Sequence, residues 1–186
     1  RRRRRAVVRI RKSREKRFGE HLLETLREES KETWNWEIRY HLIMALGELG
    51  HRPACSFLRG LSLEETESTL LYTALGEALV RLGRTFDNDP APLIDIVDRG
   101  NLHLTDGAFR AVWLLHLCFD RDVTRRILSA TLGEPGGEGR GREAWPPEFE
   151  SYYFRKYLKA CLTHPSEEIR KDAESALYGT SPPRGC

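Results

Sequence analysis

Glu37-Ile38-Arg39-Tyr40-His41-Leu42-Ile43-Met44-Ala45-Leu46-Gly47-Glu48-Leu49-Gly50 places apolar residues at Ile38, Leu42, Ala45, Leu46 and Leu49. Those offsets fall on one stripe of an α-helix. The stripe recurs 33 positions on, at Leu71, Leu75, Ala78, Leu79 and Leu82. Another 33 gives Leu104, Ala108, Ala111, Val112 and Leu115. A helix that repeats its apolar stripe at such a period does not bury it alone, so neighbouring copies stack. The pattern predicts an all-α fold: a right-handed α-α superhelix, or solenoid, of about four helix pairs.

Working outward, Phe18, Leu22 and Leu26 predict a helix from about Arg14 to Glu29. Ser30 or Thr33 is expected to cap the helix that follows, and Gly50 to stop it. Pro53 suits the first turn of a short helix carrying Ala54, Phe57, Leu58 and Leu61. Ser62 with Glu65 three residues on reads as a capping box for a helix ending at Leu82. Asp89-Pro90 opens a helix through Val97, stopped by Gly100. Thr105 begins the third stripe, expected to reach Cys118, and Asp122 is read as the cap of a helix over Val123, Ile127 and Leu128. Residues 133–146 are Gly-rich and read as a flexible insertion. They lack GxxxxGK[ST] and no strand precedes them, so they are not a phosphate cradle. Helicity resumes near Pro147 and again after Ser166, over Ile169, Ala173, Ala176 and Leu177. The expected organisation is a basic, flexible arm at 1–13, a repeat domain at 14–180 and a flexible tail at 181–186.

The net charge of +3 hides an asymmetry. Residues 1–17 carry eleven basic residues against one acidic residue, Glu15, which leaves −7 for the remainder. The basic residues are Arg1, Arg2, Arg3, Arg4, Arg5, Arg9, Arg11, Lys12, Arg14, Lys16 and Arg17. Such a run attracts nucleic acid or an anionic surface. It is equally a solvated flank neutralised by the acidic body. The chain opens on five arginines without an initiator Met, which fits a processed product or a piece of something longer. No secretory leader is expected, because no apolar core follows the basic start. No run reaches the eighteen or so apolar residues of a membrane span.

Cys55, Cys118, Cys161 and Cys186 form no CxxC pair. The first three sit in apolar, helical sequence, where free Cys acts as a small hydrophobe. A reducing compartment follows as the simpler expectation: cytoplasmic, or nuclear in a eukaryote. His21, His41, His51, His103, His116 and His164 make no HxxxH or HExxH pair, so neither a metal nor another cofactor is expected. No GxSxG and no sequence-adjacent Cys–His pair points to nucleophilic catalysis.

Trp36-Glu37-Ile38-Arg39, then Ala45-Leu46-Gly47-Glu48-Leu49-Gly50, then Pro53-Ala54 resembles a HEAT-like repeat. In that family a helix opened by an apolar-Arg pair ends in Ala-Leu-Gly, and a second helix packs back after a short turn. Glu168-Ile169-Arg170-Lys171-Asp172-Ala173 resembles the same opening. Leu70 to Pro92 is a weaker copy without the Arg, and Thr105 to Leu128 departs further at Gly107 and Trp113. The resemblance spans roughly residues 33–178. It implies a HEAT-like solenoid whose concave groove meets a partner protein. Some members resemble bilin lyases and others excise alkylated bases, and this chain matches the repeat rather than either active site. The resemblance also implies that Arg39 and Arg170 form a charged ladder with Asp or Glu partners between repeats.

The leading functional expectation is a non-catalytic scaffold or adaptor that binds a protein or peptide in its groove. Trp34, Trp36 and Tyr40 lie near the start of the first repeat helix, at or beyond the edge of its stripe, and are candidate anchors. Packing against Phe18 and Leu22 is the competing reading. Arg110 and Trp113, off the third stripe, are expected to face the groove. The runner-up is nucleic-acid binding through the basic arm and the groove, with the Tyr/Arg/Lys mixture at 152–159 able to stack on bases and contact phosphates. An enzyme of base-excision or bilin-lyase type is a distant third.

Overall fold

A computed structural model describes residues 2–31, 35–64, 68–132 and 151–178. Among the described residues the chain is all-helical, with ten α-helices. They are α1 (Arg2–Ser13), α2 (Gly19–Glu29), α3 (Trp36–Leu49), α4 (Cys55–Leu61) and α5 (Thr69–Gly83). The second half holds α6 (Ala91–Asp98), α7 (Leu102–Leu114), α8 (Arg121–Leu132), α9 (Tyr152–Cys161) and α10 (Glu167–Tyr178).

The odd-numbered helices touch in succession: α1 on α3, α3 on α5, α5 on α7, α7 on α9. Each of α2, α4 and α6 packs on the odd helix that follows it in sequence, while α8 bridges α6 and α10. Nearly the whole 33-residue stripe lies in the core between them. Leu42, Ala45, Leu46 and Leu49, all five α5 members, and Leu104, Ala108, Ala111 and Val112 are buried. Ile38 and Leu115, at the two extremes, are only half-buried against the core.

Two glycines set the spacing at the centre. A Cβ on Gly76 of α5 would sit 1.9 Å from the Leu104 carbonyl oxygen of α7. A Cβ on Gly107 of α7 would sit 1.9 Å from the Thr73 carbonyl oxygen of α5. Each helix thus lays bare backbone against the other, and α5 and α7 form the most extensive helix–helix contact among the described residues. Glycine costs about 1 kcal/mol in a helix relative to alanine, so its use here reflects the close approach. Gly47 of α3 likewise faces the Ala78 backbone of α5, its virtual Cβ 3.0 Å from Ala78 Cα. Gly47 and Gly76 both follow Ala-Leu and both press on the next helix of the row, 29 residues apart. Burial does not separate this register from the 33-residue one, because α5 is buried on almost every side.

The helix ends follow local chemistry. Gly50 and Gly100 terminate α3 and α6 with φ of 67° and 72°, where a side chain would be strained. Asp89 opens α6 by accepting from Ala91 N at 3.0 Å and Thr85 N at 2.8 Å. Burial alone would raise the Asp89 pKa, but these bonds to its carboxylate outweigh burial and leave it lowered. Asn101 and Ser151 cap α7 and α9 through Leu104 N and Phe154 N.

Several expectations need correction. The basic N-terminus is not an extended arm from residue 2 to 13 but a helix, because Val7, Ile10 and Arg11 share one face and find α3. Ser62 caps no helix start. It ends α4 and its hydroxyl donates to Arg59 O, while α5 begins at Thr69 after Ser68; Glu65 lies outside the described residues. The next helix, α3, starts at Trp36 after Asn35, with Ser30 closing α2 and Thr33 outside the described residues. Asp120, not Asp122, accepts from Val123 N to open α8. The helix of the third stripe ends at Leu114, short of Cys118, since His116 takes φ 52° and turns the chain, which leaves Cys118 exposed in a loop. The insertion at 133–146 and the tail at 181–186 lie outside the described residues.

Candidate functional site

The outward ridge of α5 runs Thr73, Glu77, Arg81, one turn apart. Glu77 is 1% exposed. Two arginines cover it. Arg81, one turn along, donates from Nε at 2.9 Å and sets Nη2 2.8 Å from the same oxygen, Oε1. Arg110 reaches back from α7, with Nε 3.3 Å from Oε2. That second contact is an ion pair out of hydrogen-bond alignment, since both atoms lack a hydrogen-bond partner. Burial works against the Arg110 charge, but Glu77 and Tyr40 outweigh it and raise the guanidinium pKa above its ordinary value.

Arg110 is the hub of this face. Tyr40 of α3 is near enough to favour its charge, and its guanidinium lies 5.8 Å from the Tyr153 ring of α9. One arginine therefore ties α3, α5, α7 and α9 together across their outer surface. At the α3 edge the same chemistry recurs. Glu48, which follows Ala-Leu-Gly as Glu77 does, takes both Nε and Nη2 of Arg11 from α1 at 2.6 and 2.5 Å.

Beyond Arg110, α7 and α9 expose an aromatic patch. Trp113 is 40% exposed, Leu114 45% and Tyr152 61%. The Lys156 ammonium sits 4.3 Å from the Trp113 ring centroid and 5.0 Å from that of Tyr152. Tyr152 and Tyr153 meet edge to face at 5.1 Å. Phe109, Phe154 and Tyr157 support the patch from beneath, with centroids 4.9 and 5.2 Å from Phe109. Ser151 Oγ donates to Asp106 Oδ1 at 2.6 Å and pins the start of α9 to α7. The patch is apolar at its centre and cationic on α9, whose sequence Tyr152–Cys161 holds Arg155, Lys156 and Lys159 and no carboxylate.

The structure brings Tyr40 and Arg110 together and seats Trp113 one turn from Arg110. Trp36 opens α3 one turn before Tyr40 and is 38% exposed. Tyr40 is partly buried against the core and is near enough to Arg110 to act on its charge. Trp34 lies outside the described residues. Of the basic residues, Arg5, Arg9, Lys12, Arg14, Lys16 and Arg17 are exposed and Arg11 is engaged with Glu48. Arg1 and the side chains of Arg2, Arg3 and Arg4 lie outside what is described. The expected Arg ladder takes another form. Arg170 donates to the carbonyls of His164 and Pro165, and Arg39 is buried with its Nε unpartnered. The turn before α10 supplies the nearer acceptors.

Sequence reasoning missed Glu77 and Glu48, and it read Tyr152 and Lys156 within the mixture at 152–159 without setting them beside Trp113. The tetrapeptide Ala-Leu-Gly-Glu at 45–48 and again at 74–77 is the signal for the two carboxylates. Among the described residues, no group of three or more His, Cys, Asp and Glu is placed to hold a metal ion. A depression of about 440 Å³ at the start of α10 is lined by Arg121, Ser166, Glu167, Glu168 and Lys171. Its charges are spent on each other: Arg121 and Arg125 on Glu168, and Lys171 on Glu167. None of the described helices is long and apolar enough to cross a membrane. Comparison with family profiles, with curated proteins and with solved structures finds no match to this chain.

Proposed function

We propose that the chain is a non-catalytic adaptor that captures an acidic peptide segment bearing an apolar anchor. In this reading the helices stack as a HEAT-like right-handed superhelix, and the outer surface of the odd-numbered row is the partner-binding groove. The succession of contacts from α1 to α9 supports it. The observation that carries the reading is the exposed pair Trp113 and Tyr152, bridged by Lys156, with exposed Leu114 next to Trp113 in sequence and Arg110 one turn before it. Large exposed side chains gathered beside a cationic rim have the makeup of a protein-binding surface. Tryptophan, tyrosine and arginine are the residues that most often carry binding energy in such places. Charge complementarity selects the partner, because the α9 rim is cationic and Glu77 is already neutralised.

The test is to pan a displayed peptide library against the intact chain and against Trp113→Ala/Tyr152→Ala. Enrichment of acidic sequences with an aromatic or aliphatic anchor, lost by at least about tenfold in the double variant, supports the reading. Selected peptides that bind the variant equally well, or that carry no acidic residue, would overturn it.

A further inference from the structure

We propose that the solvent face of α1 is a binding ridge for the phosphate backbone of nucleic acid. The inference goes beyond the peptide reading and stands without it. Arg5, Arg9 and Lys12 fall at i, i+4 and i+7 of α1, and all three are exposed. That spacing aligns them on one face over about 10 Å of helix axis. Arg14 and Lys16 continue the exposed positive run past the helix end. Among the described residues, no carboxylate pairs with any of these five. Two neighbouring carboxylates are engaged elsewhere: Glu48 by Arg11, and Glu15 by Arg17 at 2.7 Å.

The inward face decides between partners. Val7 is buried and Ile10 packs on the core, so the apolar residues of α1 hold it to the body. An interfacial membrane helix needs its apolar face free to enter the lipid, and α1 has committed its own. What remains outside is a regularly spaced helical row of cations. Its complement is a stiff polyanion with closely and regularly spaced charge, which a nucleic acid backbone supplies at one charge per roughly 1.7 Å of duplex axis. Arginine guanidinium also pairs with phosphate through two parallel hydrogen bonds. Contacts of this kind read no sequence, so binding is indifferent to base composition.

The test is fluorescence anisotropy of the full chain with a labelled random-sequence DNA duplex of about 20 base pairs, titrated in roughly 50 to 200 mM NaCl. Binding weakens linearly on a log-log plot. Arg5→Ala/Arg9→Ala/Lys12→Ala lowers the slope by about three and weakens binding at 0.1 M salt on the order of a hundredfold. Among the described residues these side chains pair with no carboxylate, so the far-ultraviolet circular dichroism of the variant stays that of the parent. Should helicity fall, Arg5→Lys/Arg9→Lys decides the matter, because it keeps the charge and must keep the slope. Equal binding of an RNA duplex supports a backbone ridge. The proposal is overturned by no duplex binding at 50 mM salt, by an unchanged slope in the triple variant, or by a slope lost in the lysine variant. Poly-glutamate or phosphatidylserine vesicles binding as tightly as the duplex would also overturn it.

Discussion

The α5–α7 centre and the α1 edge of the row are both helix-on-helix contacts, yet different forces hold them. At the centre, Gly76 and Gly107 let two backbones touch, and the buried Glu77 binds the outside of the joint through Arg81 and Arg110. At the edge, α1 offers one buried apolar side chain, Val7, with Ile10 partly buried beside it, and one bidentate ion pair to Glu48. Shape fixes the first joint, since backbone contact tolerates no shift. Charge fixes much of the second, and charge in partial contact with water is weak and salt-sensitive. The two surfaces proposed to bind partners lie differently against these joints: the phosphate ridge is on α1 itself, and the peptide face is beside the rigid joint, across α7 and α9.

The largest blow to the centre is Glu77→Ala. It leaves Arg110 facing a buried void of charge and is expected to destabilise by about 3 to 5 kcal/mol, read from urea unfolding. A loss under 1 kcal/mol would mean the cluster is solvated and the centre is not special. Next comes Gly107→Ala, whose new methyl meets the Thr73 carbonyl and must part α5 from α7, at about 3 kcal/mol. The edge responds less. Val7→Ala removes two methyl groups from a thin contact and is expected to cost about 1 to 2 kcal/mol. Arg11→Ala costs about 1 kcal/mol or less at low salt, and the difference from the parent shrinks in high salt.

A pH series adds a finer probe of the far end of the row. Burial pushes the Cys161 thiol up to about 11, with Tyr157 as its neighbour. The native state therefore holds its proton above the ordinary thiol value of about 8.5, and that stabilisation is complete below it. Stability is lost as pH rises from there through about 11. Cys161→Ala is expected to flatten this decline in melting temperature, and an unchanged decline would place the titration elsewhere.

The two joints also differ in how far they can be read from residues alone. The 33-residue stripe announced the buried sides of α3, α5 and α7, because apolar periodicity reports burial directly. Gly50, Gly100 and Asp89 announced helix ends through backbone strain and capping. Helix α1 was hidden because its apolar face is only Val7 and Ile10 amid arginines, too short a stripe to stand out. The Glu77 cluster was hidden for another reason. Arg110 lies 33 residues from its partner, and no local pattern states which cation will cover which carboxylate. Trp113 and Arg110 were legible as off-stripe residues, whereas Tyr152 and Lys156 join them only because Ser151 ties α9 to Asp106.

Native-state hydrogen exchange, followed by mass spectrometry at low salt and in about 0.5 M NaCl, tests the contrast most directly. Amides of α5 and α7 are expected to exchange most slowly and to ignore salt. Those of α1 are expected to open orders of magnitude faster, and faster still as salt screens Arg11 from Glu48. Protection of α1 equal to that of α5, or unmoved by salt, would contradict the division between a joint held by shape and a joint held by charge.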